Sequence, residues 1–489
     1  MTHQIPKYPQ YHRPLSIPLR AVCAMLLLMA IHAQAHATQA DKPNILFFIV
    51  DDMGMTDPGA YGGSTIATPN IDRLAAEGMR FLRAYSGCSV CAPARSTLMT
   101  GYHMGRGSVR GNSGGIPLRD SDVTIAEVLQ SAGYVSGGFG KWGIGDLDTP
   151  GVPERQGFSQ FFGYYHQVHA HYYFPEYLID SGRKVPLPNK GFYQKNRSSG
   201  PIDTKAPQTQ SDYVFAPYRI VDQMHAFIRD HKDQPFFCYV PMNIPHSRYE
   251  IPNTDPAWLA YKDKPWTTNE KVYAAFCSLA DRQIGETLAL LDELQLSENT
   301  LVVFCSDNGG AFPSKTFEPS ISLRGHKGSL YEGGIRIPFI ARWPNHISAG
   351  ATCDRVVYFP DLMPTLAELT GTQTAVPADI DGVSFAPELL GKTVERSERY
   401  LYWEWNGQHF FDEYKPIRQA VRKGDWKLVR HELNGTWELF DLATDPKESK
   451  DLAGTHPKLV EELDQWVATH RIPHRPQQEP DRHDGQEWR

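Results

Sequence analysis

Two pairs of oxygen-bearing residues stand at the ends of apolar runs. Asp51-Asp52 closes Asn44-Ile45-Leu46-Phe47-Phe48-Ile49-Val50, and Asp307-Asn308 follows Thr300-Leu301-Val302-Val303-Phe304-Cys305. Unbroken apolar runs of this kind read as strands buried on both faces of a parallel sheet. In open α/β sheets ligands gather beyond the carboxyl ends of the strands, so four side chains far apart in sequence can converge there. A ligand set made only of oxygen suits a hard cation, calcium or magnesium, rather than zinc. Either pair alone reads more readily as a turn or a helix cap. Cys88-Ser89-Val90-Cys91 is a CxxC, a spacing shared by redox sites, zinc sites and inert pairs. A structural zinc needs a second ligand pair at short spacing. Cys238, Cys277, Cys305 and Cys353 are instead scattered singly.

The elements that must hold these residues follow from periodicity and breakers. Thr68-Pro69 offers an N-cap and an N1 proline for a helix with Ile71, Leu74 and Ala75 on one face, and helical pattern continues to Tyr85. Pro93 to Thr100 is helix-compatible with Gly101 as its stop, which puts Cys91 at or just before a helix N-terminus, where free N–H groups favour an anion. Phe236 to Val240 is another buried strand, and Val272 to Leu294 is amphipathic. Near residue 390 the pattern changes to short strand-like runs, Tyr400 to Trp405, Ile417 to Val421, Asp425 to Val429 and Trp437 to Phe440. A helix follows, with Leu459, Leu463, Trp466 and Val467 on one face. The expected fold class is α/β, a large mixed, mostly parallel sheet sandwiched by helices, plus a small C-terminal antiparallel sheet with one helix. The expected domains are 41–389, catalytic, and 390–489, a small α+β subdomain and tail.

Lys7, Arg13 and Arg20 precede the apolar run Ala21 to Ile31 and the small residues Ala33 to Ala37, the pattern of a secretory signal over 1–37. That run is shorter than the roughly 20 residues a membrane span needs, and no later segment is long and apolar enough, so the mature chain is expected to be exported, periplasmic or secreted, without a membrane span. A net charge of -7 with no basic run speaks against a nucleic-acid partner.

The run Cys91-Ala92-Pro93-Ala94-Arg95-Ser96-Thr97-Leu98-Met99-Thr100-Gly101 resembles the signature of type I sulfatases, and the flanks Val50-Asp51-Asp52-Met53-Gly54 and Ser306-Asp307-Asn308-Gly309-Gly310 are similar to that family's text. The resemblance covers roughly residues 41 to 470 and implies the alkaline-phosphatase-like fold. It also implies that Cys91 is oxidised by a formylglycine-generating or equivalent maturation enzyme. The hydrated aldehyde then attacks sulfur, the alcohol departs, and loss of a proton from the second hydroxyl expels sulfate. It further implies one divalent cation, Ca2+ or Mg2+, held by Asp51, Asp52, Cys91, Asp307 and Asn308. Three carboxylates outweigh a dication before an anionic ester arrives, so extra cations are needed. Arg95, Lys141 in Gly140-Lys141-Trp142-Gly143 and Lys327 in Gly325-His326-Lys327-Gly328 fall where the family places them. His246 resembles the family's active-site histidine and is assigned general acid, assisted by Lys327. His103 is expected to pack beneath the nucleophile.

Two departures stand out. Many sulfatases have a histidine where this chain has Gly143, so the second hydroxyl must be handled by another group, Asp307 among the alternatives; Ala94 replaces a common serine. The region from Gln156 to Tyr164 and His169-Ala170-His171-Tyr172-Tyr173 resembles the substrate pocket of bacterial sulfatases acting on sulfated glycans. His169, His171, Arg110 and Asn112 are its candidate substrate contacts. The expected reaction is exo-acting removal of sulfate from a sulfated carbohydrate. The rival readings are a phosphate or phosphonate monoester hydrolase of the same superfamily, and a non-catalytic glycan-binding relative with an unmodified Cys91.

Overall fold

The apolar runs fold as strands. In chain order these are β1 (Asn44–Val50), β2 (Met79–Tyr85), β3 (Val135–Lys141), β4 (Gln160–Tyr164), β5 (Tyr177–Asp180), β6 (Arg183–Pro186), β7 (Gly200–Ile202), β8 (Phe236–Pro241), β9 (Glu250–Pro252), β10 (Thr300–Ser306), β11 (Phe339–Arg342) and β12 (Ala351–Tyr358). The computed structural model describes residue 1 and residues 42–114, 116–195, 199–205, 212–312, 314–317, 323–395, 398–405 and 417–472. The leader reading of 1–37 and the tail beyond 472 lie outside them. Pro43–Arg489 is one contact unit.

Ten strands form one mixed sheet in the order β12-β2-β11-β10-β1-β8-β3-β4-β5-β6, while β7 and β9 pair separately. The central run β10-β1-β8-β3-β4 is parallel throughout. Every residue of β1 is buried, as a strand covered on both faces requires. Its side chains divide by alternation: Ile45, Phe47 and Ile49 enter one core, Leu46, Phe48 and Val50 the other. Helices α2 (Cys91–Thr100), α3 (Ile125–Gln130) and α6 (Leu362–Thr370) supply the first core; α1 (Pro69–Glu77), α4 (Ala216–Asp230) and α5 (Thr268–Glu293) supply the second. The sheet is therefore sandwiched by helices.

The register of β1 against β10 decides where the acids go. Asn44 pairs with Thr300 and Val50 with Ser306, so both strands end level and Asp51 and Asp307 leave the sheet side by side. The amide of Asp307 donates to the Val50 carbonyl at 3.0 Å, extending the ladder one step.

One element differs from expectation. The helical pattern expected from Thr68 to Tyr85 is cut short: α1 stops at Glu77 and Met79–Tyr85 becomes β2, paired with β11 and β12. Gly78 is the break, since a Cβ there would sit 2.4 Å from the Ala341 carbonyl oxygen of β11. Sheet hydrogen bonds over seven residues outweigh local helical propensity. Thr68 also makes no side-chain cap; its hydroxyl accepts from the Gly59 amide at 2.9 Å and donates to Asp72.

The four late runs are β13 (Tyr400–Trp405), β14 (Arg418–Lys423), β15 (Trp426–Arg430) and β16 (Glu438–Asp441), an antiparallel meander. Helix α7 (Pro457–His470) buries Leu463 and Val467 and stacks Trp466 on Tyr400 at 4.8 Å. Lys427 of β15 lies fully buried between Glu332, at 3.0 Å, and Glu448, at 2.8 Å, and Tyr85 donates to Glu332 at 2.6 Å. Among the described residues all six cysteines are free thiols, and no helix is long and apolar enough to cross a membrane.

Candidate active site

Four loops leave the carboxyl ends of neighbouring strands and meet. Asp51 and Asp52 follow β1, Asp307 and Asn308 follow β10, His246 follows β8, and Lys141 ends β3. Asp52 takes a left-handed backbone (φ 76), a conformation an aspartate tolerates better than most residues. Its amide donates to Asp307 Oδ1 at 3.1 Å, locking the two loops together. Helix α2 begins at Cys91, and the amide of Ala92 donates to Asn112 Oδ1 at 2.9 Å. Cys91 and Arg95 are spaced i, i+4 and share a helix face.

The Cys91 thiol donates to Asp51 Oδ1 at 3.1 Å and lies 3.9 Å from Asp52 Oδ1; Lys327 Nζ approaches its sulfur at 3.4 Å. Ligand atoms of Asp51, Asp52, Cys91 and His246 all lie within 4.8 Å of one another. Asn308 donates through Nδ2 to Asp52 Oδ1 at 2.8 Å, while its buried Oδ1 has no partner. Around this cluster stand three cations. Arg95 makes a two-pronged contact to Asp307 Oδ2 at 2.8 and 3.2 Å, Lys141 donates to Asp51 at 2.7 Å and Lys327 to Asp52 at 2.7 Å. Apart from Lys327, which is 18% exposed, all of these charged groups are closed off from solvent.

The residues fit a hard divalent cation. Burial and the neighbouring Asp51 carboxylate push Asp307 up to about 7, because adjacent carboxylates without a cation repel. An orphaned amide oxygen at Asn308 completes an oxygen donor set. Three carboxylates against three cations leave the cluster near neutral, so a bound dication would turn it into an anion receptor. Asp51 stays well below the usual carboxylate range although burial opposes this, because Lys141, His246, Arg95 and Lys327 surround it. Burial and then Asp307 and Asp51 raise the Cys91 thiol well above its ordinary value, so the unmodified residue is a poor nucleophile.

His246 Nε2 lies 3.5 Å from Asp52 Oδ2, and Nδ1 faces the Ser247 carbonyl at 3.1 Å. Its ring stacks on His171 with centroids 3.9 Å apart and planes 15° apart. Burial, then Lys327, lower His246 to about 4; burial, then His246, hold His171 well below its ordinary value. His171 Nε2 is buried without a partner, so His171 does border the site.

Four other expectations meet a different placement. Arg110 is buried and donates to the carbonyls of Gly105, Gly107 and Ile472, with Glu404 at 3.5 Å. It ties α2's exit loop to the C-terminal segment. His169 packs its ring against Tyr164 and Tyr177, at 5.2 and 4.6 Å, within an aromatic cluster. Asn112 spends its amide oxygen on the start of α2. His103 is buried as expected, but against Tyr402 and Trp466 at the far end of α2.

Sequence reasoning missed Gln167. At Gly143 an added Cβ would lie 2.7 Å from Gln167 Oε1 and 3.8 Å from Arg95 Cδ, so the place of a side chain at 143 is taken by this carboxamide. A lone glutamine in a loop carries no sequence signal.

The family described as Sulfatase matches residues 43–372, and the one described as N-sulphoglucosamine sulphohydrolase, C-terminal, matches residues 326–471. The chain is 31% identical to arylsulfatase A of Homo sapiens, with 90% of this chain and 89% of the relative covered. It is 28% identical to the N-acetylgalactosamine-6-O-sulfatase of Bacteroides thetaiotaomicron, covering 88% and 93%. Among solved structures, Ps i-CgsB superposes with a TM-score of 0.72 at 26% identity, covering 88% of this chain and 94% of that one. Ps i-CgsB is also known in complex with k-i-k-neocarrahexaose.

Proposed function

Because the chain belongs to the sulfatase family and is a sulfuric ester hydrolase, we propose that it removes sulfate from a sulfated carbohydrate with formylglycine at position 91 and one calcium or magnesium ion. The observation that carries this reading is the convergence of Asp51, Asp52, Cys91 and His246 within 4.8 Å, ringed by the buried Arg95 and Lys141, the partly exposed Lys327 and the orphaned Asn308 oxygen. Sugar esters as substrates are supported by the relatives named for N-acetylgalactosamine 6-sulfate and by the neighbour that binds a carrageenan-type oligosaccharide.

A formylglycine hydrate would supply a nucleophile with two hydroxyls on one carbon, and a bound divalent cation would lower the pKa of the attacking one. The chain's own residues do the rest. Asp51, Asp52, Asp307 and Asn308 hold the cation. Arg95 fixes Asp307, and Lys141 fixes Asp51, so the carboxylates keep one geometry. Lys327, between Asp52 and position 91, meets the sulfate oxygens. His246 presents Nε2 toward the departing alcohol and gives it a proton, because a sugar alkoxide is a poor leaving group. His171 backs that ring from the substrate side. Residues 41–389 carry the chemistry, 390–489 form the accessory subdomain, and the protein is exported to the periplasm or beyond, where residues 1–37 act as leader. Its maturation partner is a formylglycine-generating or equivalent enzyme.

Mass spectrometry of the peptide containing Cys91, from natively produced active protein, tests the nucleophile; an intact thiol refutes it. Defined sulfated monosaccharides identify the sugar, and sulfate and phosphate esters of one phenol separate this reading from a phosphomonoesterase.

A further inference from the structure

Gln167 lies on the loop that follows β4, the strand next to β3 in the parallel run. The two loops leave the sheet together: the Trp142 amide donates to the Tyr164 carbonyl at 2.8 Å and the Gly143 amide to the Tyr165 carbonyl at 3.0 Å. Gln167 thus stands at the carboxyl end of a fifth parallel strand, where open sheets place ligand-binding groups. It is fully buried, and neither Oε1 nor Nε2 has a hydrogen-bond partner among the described residues. Among them it is the one residue that leaves two side-chain atoms in that state. Its oxygen fills the gap that Gly143 leaves beside the Arg95 stem, and Arg95 sits one helical turn from Cys91 on the same face. A buried carboxamide with nothing to bond is costly to the fold unless a group absent from the bare polypeptide meets it.

We propose that Gln167 is a catalytic residue of this sulfatase, its carboxamide entering over Gly143 to hydrogen-bond the hydroxyl at position 91 that does not attack sulfur. The inference rests on the formylglycine reading. An amide neither takes nor gives a proton here; it accepts the O–H through Oε1 and fixes that hydroxyl's direction, so no proton is assigned to it. Asp51 and Lys327 meet the sulfur of position 91, while the Gln167 oxygen enters over Gly143, beside the Arg95 stem.

The test is Gln167→Met, an apolar side chain of the same length. Three quantities are read on the full-length, natively produced protein: the fraction of Cys91 converted, the melting temperature, and kcat and KM on an activated aryl sulfate. The expected result is unchanged conversion, a melting temperature equal to or above that of the parent, and kcat lower by at least about tenfold with KM little altered. Gln167→Asn, which retracts the amide by one methylene, should lose kcat in the same sense. A lower melting temperature with kcat preserved would show that the amide serves the fold and overturn the proposal. Preserved kcat in both variants, with converted Cys91, would overturn it while sparing the functional reading. An unconverted Cys91 in active parent protein would overturn both.

Discussion

Replacing His246 by alanine probes the proton that the leaving alcohol needs. In the structure Nδ1 faces the Ser247 carbonyl, the ring is pinned on His171, and Nε2 is the nitrogen turned toward the acids. A proton on Nε2 is disfavoured in the bare site, where burial and Lys327 bring the group to about 4. At neutral pH that amounts to about three units, or ~4 kcal/mol, against the charged form. An anionic ester next to Nε2 offsets much of this, so the histidine becomes a donor only when substrate is present. General acids contribute about 10²- to 10⁴-fold. With part of that effect spent on charging the ring, the expected loss for a sugar sulfate is about 10²- to 10³-fold, ~2.7 to 4 kcal/mol of transition-state stabilisation. For an activated aryl sulfate, whose phenolate leaves unaided, the loss should stay below about tenfold. The assay is kcat/KM across a series of aryl and alkyl sulfates of graded leaving-group pKa, parent against variant. A steeper dependence in the variant is expected. Parallel lines, with equal loss at both ends, would refute the assignment and point to a positioning role.

Cys91→Ala should abolish turnover while circular dichroism and melting temperature stay near the parent's, because a small buried side chain is exchanged for another. Asn308→Ala should weaken the cation by at least about tenfold, read as a lower chelator concentration for half-loss of thermal stability. Lys427→Met should destabilise the protein by about 3 to 5 kcal/mol in denaturant titration, since it strands Glu332 and Glu448 without their buried partner; a change under about 1 kcal/mol would contradict it. Burial, chiefly, lowers His103 to about 4 from 6.5, so the folded state binds fewer protons between those values. Its stabilising share is present above pH 6.5 and falls away as pH drops toward 4, by up to about 3 kcal/mol. His103→Gln should flatten that part of the stability-pH curve, and an unchanged slope would show that other groups set it.

The site's outline is readable from sequence because its residues sit where strands end, and strand ends are marked by the change from apolar to acidic text. Asp51 and Asp307 could be placed together from that alone. What periodicity cannot carry is competition for space between distant segments. Gly78 yields to the Ala341 carbonyl, and a helical pattern becomes β2. Arg110 looks available for an anion until three carbonyls are seen to take it. Gly143 reads as a missing side chain, and only the fold shows Gln167 occupying the place. His169 and His171 are two residues apart in one motif, yet one joins an aromatic cluster and the other stacks on His246.

Position 91 has no exposure to solvent, its sulfur faces Asp51 just past the end of β1, and β1 pairs with β10, more than two hundred residues away in sequence. Pairings of such long range form late and slowly. On the proposed reading, a maturation enzyme could touch the Cys91 sulfur only while that pairing is still unmade. Maturation and folding would then run as a race, with the β1–β10 pairing as its clock. A substitution that hastens the closure of this sheet would yield a well-folded and more rapidly formed protein that is less completely matured.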